Sequence, residues 1–281
     1  MSDLVLVAVG AVLGLVIGML GGGGGILAVP LLVGAGEPVL SASTMSLVIV
    51  GIGAAAALVP HSRAGRVDWP IGLTFGALGV LGAIVGARVA GSIPPDWLLG
   101  GFAVLLTVGA FTMLRAGRVA RRESRDVEHL RTSHDPDVAK VLLDSPHVHG
   151  TADQLVDAVR RTASPRTIGL ATGVGLVTGV FGVGAGFVVV PALVAAMHVP
   201  IKKATATALV VIVMNSTVAF VARAGNLRDV HATLVLAGMT AVFAVVGALV
   251  SRRVPGWALS TTFGVLMVAV ALFTIGKAVA L

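Results

Sequence analysis

Long runs without a charged side chain dominate the sequence. Eight windows contain no Asp, Glu, Lys or Arg, at residues 4–36, 38–62, 69–87, 97–114, 167–201, 204–222, 230–251 and 254–276. Because a helix needs about 20 residues to cross the hydrocarbon core of a bilayer, these windows are long enough, or nearly so, to be membrane spans. They also lack the alternation of polar and apolar residues that membrane β-strands show. The pattern predicts an all-α polytopic membrane protein with about eight hydrophobic segments.

Two of these windows, residues 4–36 and 167–201, are too long for one simple crossing. Each contains a glycine cluster followed by a proline, Pro30 in the first and Pro191 in the second. Glycine in a helix interior costs about 1 kcal/mol relative to alanine, and proline cannot donate a backbone hydrogen bond. We therefore predict that the helix in each window is interrupted at its glycine cluster. The clusters consist of Gly21, Gly22, Gly23, Gly24 and Gly25 in the first window and Gly182, Gly184 and Gly186 in the second.

The two halves of the chain are related by a shift of 161 residues. The segment 14-GLVIGMLGGGGGILAVPLLV-33 aligns with 175-GLVTGVFGVGAGFVVVPALV-194, and eleven of the twenty positions are identical. Pro94 and Phe102 have matches in Pro255 and Phe263 at the same shift. A nearly constant shift over this length, with 63-RAG-65 matching 223-RAG-225 at 160 and Ser43 matching Thr205 at 162, indicates an internal duplication into two homologous four-segment repeats.

The composition supports a membrane protein. Hydrophobic residues make up 56% of the 281 residues and charged residues 12%, whereas a soluble domain carries about 25% charged residues on its surface. The net charge of +7 could indicate a nucleic-acid partner. In a membrane protein, however, basic residues in cytoplasmic loops and beside anionic lipid explain such a charge. We expect the lipid bilayer as a partner, and no nucleic acid.

Residues 115–166 interrupt the hydrophobic pattern. They contain ten of the twenty Lys and Arg residues and eight of the thirteen acidic residues. Arg115, Arg118 and Arg121 directly follow a hydrophobic window, and such density beside a span marks the cytoplasmic side. We predict three parts in a multi-pass protein of the plasma (inner) membrane. They are a first transmembrane repeat at 1–114, a basic cytoplasmic linker at 115–166 and a second transmembrane repeat at 167–281.

The two glycine clusters are the candidate substrate site. A helix interruption is tolerated in hydrocarbon only where it is buried in protein or lines a cavity. Its free N–H groups and the positive end of the next half-helix would favour an anion. The alternative is that the glycines only let helices pack closely, which is the interpretation for the row Gly10, Gly14 and Gly18. A phosphate loop or dinucleotide fingerprint is a further option, but its strand–helix context and its Lys or acidic partner are absent.

Three polar residues are added to the candidate substrate-binding set. Ser43 and Thr205 follow the two motifs at matched places, and their hydroxyls could donate to an oxyanion. Equally, such hydroxyls in membrane helices bond their own backbone or hold helices together. Asn215 lies near the middle of its window, where a carboxamide needs partners, although it could serve only as contact between helices.

The windows contain no carboxylate, which argues against a cation pump or a proton pump. It leaves proton coupling without an obvious carrier, and neither His198 nor His231 is convincing as one. The chain has no cysteine, and His147 and His149 in the linker are weak evidence for a metal site without further ligands. No nucleophile–base set is recognisable. We expect no enzyme activity, no catalytic residues, no metal and no cofactor.

The sequence resembles the TauE/SafE family of sulfite and organosulfonate permeases. The resemblance rests on 18-GMLGGGGGILAVPLLV-33, its copy 179-GVFGVGAGFVVVPALV-194, the Ser/Thr segments after them and the layout of four plus four hydrophobic segments. Val183 and Ala185 replace glycines in the second motif, and the linker lies outside the resemblance. It implies a plasma-membrane permease, often an exporter, for sulfite, sulfoacetate or related sulfur anions.

The orientation of the repeats depends on how the glycine-bearing segments lie in the membrane. If both cross it, five basic residues near the segment ends lie on each side. If both dip in and return, six lie on the linker side and four opposite. Because transporters commonly contain inverted repeats, the inverted arrangement is favoured over the parallel one.

We therefore expect a permease for small sulfur-containing anions that acts as an exporter. The alternative is a non-transporting membrane scaffold or assembly factor that acts through the 115–166 linker. The sequence leaves the anion, the direction, the coupling ion and the oligomeric state open.

Overall fold

The computed structural model describes residues 3–89, 92–93, 95–132, 165–181, 186–197, 199–222, 225, 227 and 229–279. The described residues form ten α-helices and no β-strand. Those of the first half are α1 (Asp3–Leu20), α2 (Gly24–Gly34), α3 (Val39–Arg63), α4 (Trp69–Val89) and α5 (Pro95–Thr132). Those of the second half are α6 (Pro165–Phe181), α7 (Gly186–Met197), α8 (Ile201–Val221), α9 (Val230–Val250) and α10 (Gly256–Val279). The all-helical prediction is confirmed.

The first glycine-bearing window is divided into two short helices, as the sequence predicts, and in the second window one described helix ends at Phe181 and the next begins at Gly186. In the first half the chain folds back between α1 and α2. A Cβ built on Gly24 would lie 2.8 Å from the carbonyl oxygen of Leu13, whereas a continuous helix would separate these residues by about 16 Å. We call α1 and α2 hairpin 1 and the corresponding pair, α6 and α7, hairpin 2. The eight hydrophobic windows thus become six helices long and apolar enough to cross a membrane, together with two pairs of shorter helices.

Corresponding helices of the two halves run in opposite directions. Along the contact between α5 and α10, Leu114 lies beside Gly264 and Gly117 lies beside Thr261. The residue numbers rise along one helix and fall along the other, so these two helices are antiparallel. Helices α4 and α8 are parallel, because their contacts proceed from Asp68 beside Thr207 to Gly72 beside Val210. Since α3 and α4 are both long enough to span a membrane and are joined by a short turn at 64–68, they run in opposite directions across it, and α3 is then antiparallel to its counterpart α8. The order of contacts supports the inverted arrangement.

The two halves are held together by contacts between the hairpins of one half and the helices of the other. Helix α1 packs along α9 of the second half, and α6 packs along α4 of the first half. Small residues make these crossings close: a Cβ built on Gly14 would lie 2.8 Å from the Cβ of Phe243, and one on Gly179 would lie 2.7 Å from the N of Ala87. The packing role proposed for Gly10, Gly14 and Gly18 is therefore observed. The first arm of each hairpin thus packs on the opposite half, whereas the second arms, α2 and α7, pack mostly on α3 and α8 of their own half.

Helix α5 continues past its hydrophobic window to Thr132. The beginning of the segment that the sequence assigns to the linker is therefore an extension of this helix. In this extension of α5, the guanidinium group of Arg121 lies 4.9 Å from the ring centroid of Trp257 on α10. This cation–π contact ties the basic end of α5 to the second half.

Candidate functional site

The tip of hairpin 1 is built from backbone conformations that favour glycine. Gly21 has a φ of 65° and Gly22 a φ of 137°, both in the region that residues with a Cβ rarely occupy. The N–H of Gly21 donates to the carbonyl of Ile17 (2.9 Å), and that of Gly25 donates to the carbonyl of Gly22 (3.3 Å). The turn is thus closed by its own backbone, and α2 starts directly after it without a side-chain cap.

The two hairpins meet at these motifs. The backbone of Gly22 lies against the backbone of Gly186, so closely that a Cβ on either glycine would overlap the other residue. The Cδ1 of Ile212, on α8, borders both positions, at 2.8 Å and 2.6 Å from the Cβ atoms that such substitutions would add. Of the second motif, Gly186 is therefore placed, whereas Gly182 and Gly184 lie outside the described residues.

The junction between the tips is buried. Gly21, Gly22, Gly23, Gly24 and Gly25 are all buried, and so is Gly186. The backbone of Thr205 lies directly under Gly21, and a Cβ on Gly23 would lie 2.9 Å from the ring of Phe263. The arrangement described is closed at the tips, so a bound anion would require the hairpins to move apart.

The electrostatics of the junction favour negative charge. Helix α2 begins at Gly24 and α7 begins at Gly186, so two helix N-termini come together there. The first N–H groups of a helix have no acceptor within that helix, and its N-terminus carries a partial positive charge. The first turns of both helices contain no acidic residue. This combination can bind an anion through backbone N–H groups.

The two hydroxyl residues lie at the tips but are bonded to backbone. Ser43 donates to the carbonyl of Phe181, the last residue of α6, at 3.4 Å. Thr205 donates to the carbonyl of Lys202 at 3.2 Å. Each residue therefore lies at the tip of the hairpin that comes from the opposite half. Both hydroxyls would have to exchange these partners to bind a substrate.

Asn215 lies on the same helix as Ile212, one turn further along. It is 0% exposed, and both atoms of its carboxamide lack a hydrogen-bond partner among the described residues. A Cβ on Gly79 of α4 would lie 2.9 Å from its Nδ2 and 3.4 Å from the carbonyl oxygen of Ala171 on α6. The side chain thus faces the crossing of α4 and α6. An unpaired buried carboxamide is costly, so it has bonding capacity available.

Several residues of this region could not be found from the sequence. Ile212 and Phe263 are apolar residues in apolar windows, and nothing in the pattern separates them from lipid-facing neighbours. Ser46 and Ser216, whose buried hydroxyl oxygens also lack a partner in the described part of the chain, are Ser residues of the same kind as Ser43. His61 and Arg252 are visible as polar residues at window ends, but their partners come from other helices.

The other surface depression and the acidic and histidine residues of the described ranges do not provide a second candidate site. A depression of about 300 Å³ is lined by Phe111, Leu114, Arg115 and Arg118, none of which belongs to either hairpin. In the described ranges, no group of three or more His, Asp or Glu residues is arranged to hold a metal ion.

Comparisons with known proteins agree with the fold. The family model described as Sulfite exporter TauE/SafE matches residues 6–274. A "Probable membrane transporter protein" of Xylella fastidiosa (strain Temecula1 / ATCC 700964) is 31% identical over 214 residues, which cover 75% of this chain and 70% of the relative. A protein of the same name from Xylella fastidiosa (strain 9a5c) matches with the same identity and coverage. No solved structure matches the chain.

Proposed function

The chain belongs to the sulfite exporter TauE/SafE family of membrane transporters, and from this premise we propose a specific activity. The protein is a permease that exports small sulfur-containing anions, such as sulfite, sulfoacetate or related organosulfonates, across the plasma membrane. The observation that carries this proposal is the junction of the two hairpin tips. There two helix N-termini meet, buried and without an acidic residue in either first turn.

The substrate site in this proposal lies between the tips. It is lined by the backbones of Gly21, Gly22, Gly23, Gly24 and Gly25 on hairpin 1 and of Gly182, Gly184 and Gly186 on hairpin 2. Its donors are the backbone N–H groups that the turn does not use, since those of Gly21 and Gly25 already donate to Ile17 and Gly22. Ser43 and Thr205 supply hydroxyls. Asn215 of α8 completes the set if its carboxamide turns from Gly79 towards the tips. Sulfite and sulfonate groups carry several acceptor oxygens, so a ring of neutral donors fits them without a fixed positive charge.

Movement of the hairpins provides access in this proposal. Because the first arm of each hairpin packs on the opposite half, a shift between the halves would separate the tips and open the junction towards one side. Inverted repeats can exchange their conformations in this way, which opens the site towards each side in turn. The closed junction described above then corresponds to an intermediate between the two open forms.

The sidedness of the protein follows from its charges in this proposal. The inverted arrangement places the ends of α3 and α9 and the start of α8 on the linker side. Six basic residues lie there: Arg63, Arg66, Lys202, Lys203, Arg252 and Arg253. Together with Arg115 and Arg118 on α5, they identify the linker side as cytoplasmic.

Transport by a tip variant tests this function. Gly186→Ala adds one methyl group against the backbone of Gly22, whereas Gly34→Ala, at the far end of hairpin 1, meets no atom within 4 Å. Overpacking of this kind costs about 1–3 kcal/mol, so we expect flux of sulfite or sulfoacetate into proteoliposomes to fall about tenfold or more in Gly186→Ala. Gly34→Ala should match the wild type.

Two other results would count against the proposal. Normal flux in Gly186→Ala would remove the tips from the mechanism. Absence of wild-type flux for sulfite, thiosulfate, taurine and sulfoacetate would favour the scaffold alternative, in which deletion of residues 134–163 should abolish function. A permease that works through the tips should keep its flux after that deletion.

A further inference from the structure

His61 is a buried ionisable side chain beside hairpin 1, and it belongs to neither glycine motif. It lies in the last turn of α3 and is 2% exposed. Because an ionisable group within a membrane segment is costly, its presence there commonly has a function. The second repeat has Val221 at the corresponding position, at the shift of 160 residues that aligns 63-RAG-65 with 223-RAG-225. His61 is therefore not part of the packing that both halves share.

The imidazole is attached to the arm of hairpin 1. Its Nε2 lies 3.1 Å from the carbonyl oxygen of Gly18, which precedes the tip glycine Gly21 by less than one turn of helix. Since a carbonyl oxygen only accepts hydrogen bonds, Nε2 carries the hydrogen in this contact. The other ring nitrogen, Nδ1, then holds a lone pair that can take up a proton.

The charges nearest to His61 are positive. The backbone N–H of Arg66 donates to the carbonyl of His61 at 3.2 Å, and the guanidinium group of Arg252 donates to the carbonyl of Pro60 at 2.8 Å. A proton on Nδ1 would therefore add to positive charge, and an anion at the tip would offset it.

The charged groups on the other helices packed on α3 do not make the surroundings of His61 negative. Helix α8 begins at the same end with Lys202 and Lys203, which are basic. The carboxylate of Asp68, also at this end, accepts the N–H of Ile71 and so caps the start of α4. Helix α1 has Asp3 at its opposite end, and α9 has His231 at its opposite end.

We propose that His61 takes up a proton when an anion is bound at the hairpin tips and carries it across with the anion. The step is a simple acid–base reaction: the lone pair of Nδ1 accepts a proton from water on one side, and the imidazolium returns it to water on the other. No other bond changes, and the Nε2–H remains on the Gly18 carbonyl. The coupling rests on the proposed function, and it assigns the proton carrier to His61 rather than to His198, outside the described residues, or to the exposed His231.

Accumulation of an anion against its gradient tests the coupling. Purified protein is reconstituted into proteoliposomes whose lumen is about one pH unit more alkaline than the bath, with the membrane potential held at zero by K⁺ and valinomycin. One proton per anion should then drive about tenfold accumulation of sulfoacetate or thiosulfate by the wild type. His61→Gln keeps an N–H for Gly18 but has no titratable nitrogen, so it should equilibrate these anions without accumulating them. His231→Gln is the matched control and should accumulate them normally.

The outcomes separate the two proposals. Accumulation by His61→Gln equal to that of the wild type overturns the role of His61 and leaves the permease intact. Wild-type flux that ignores the pH gradient has the same meaning. No wild-type flux of any of these anions removes the permease, and the coupling with it.

A second measurement covers the case in which His61→Gln is inactive because it misfolds. The protein is labelled with ¹⁵N-histidine, and the His61 resonance is assigned by elimination, with single Gln variants of the other six histidines. It should titrate with pH, and its midpoint should move to higher pH when sulfoacetate is added. A resonance that does not move with pH, or whose midpoint ignores the anion, overturns the proposal.

Discussion

In the proposed permease, the side chain of Ile212 is placed to set the size of the anion that the tips admit. It borders the positions of both Gly22 and Gly186. Because Ile212 lies on α8, it can be changed without altering the backbone of either hairpin.

Truncation of Ile212 should widen the junction. In Ile212→Ala we expect the ratio of sulfoacetate flux to sulfite flux to rise several-fold, with Ile212→Val between it and the wild type. Val210→Ala is the control, since Val210 packs on Gly72 of α4 and not on the tips. Both alanine variants lose about 2–5 kcal/mol of packing at most, so equal changes in selectivity would show a general loosening instead.

At the scale of helices, matching caps reveal the duplication independently of the glycine motifs. Asp229 accepts a hydrogen bond from the N–H of Ala232 at 2.8 Å, and Asp68 accepts one from the N–H of Ile71 at 3.3 Å. Both pairs are related by the shift of 161 residues. The first turns of α4 and α9 are thus stabilised in the same way.

Removal of these caps should destabilise the protein unequally. Asp229→Ala should lower the stability by about 1 kcal/mol, because an N-cap carboxylate is lost. Asp68→Ala should cost less, since its hydrogen bond is longer. Thermal unfolding in detergent measures both, with Asp229→Asn as a cap-preserving control. A loss of stability in Asp229→Asn as large as in Asp229→Ala would show that charge, not capping, is responsible.

The sequence predicts the helices and their interruption but not their partners. Charge-free windows and glycine clusters are local features of the sequence. The division of residues 4–36 into α1 and α2 can therefore be predicted from them. The packing of α1 on α9 and of α6 on α4 depends on surfaces from distant parts of the chain. Gly14 fits α9 because of its shape, and shape complementarity between two apolar surfaces has no signature in composition.

The same distinction applies to the candidate site. Spacing alone selects the glycine run of the first motif and Gly186 of the second, and the structure brings Gly22 and Gly186 together. Polarity selects Asn215, but its carboxamide faces Gly79 rather than the glycine tips. Neither criterion selects His61, because the sequence does not show whether a histidine near the end of an apolar window is buried. Its role becomes visible only through its contact with Gly18.

At the scale of the whole molecule, the fold-back of each hairpin determines which side of the membrane the second repeat starts on. If hairpin 2 returns, Lys203 lies on the same side as Ala64, because α4 and α5 both lie between Ala64 and the linker. If the segment crosses instead, Lys203 lies on the opposite side. One pair of positions therefore distinguishes the inverted fold from eight simple crossings.

The chain contains no cysteine, so single cysteines report this difference directly. Lys203→Cys and Ala64→Cys, both at exposed positions, should be labelled from the same side by a membrane-impermeant maleimide in oriented vesicles. Ala35→Cys, also exposed and separated from Ala64 by α3 alone, should be labelled from the other side and shows that both faces are accessible to the reagent. Labelling of Lys203→Cys together with Ala35→Cys would contradict the fold-back. Since the meeting of the tips depends on two returning hairpins, that result would also remove the geometric basis of the anion site.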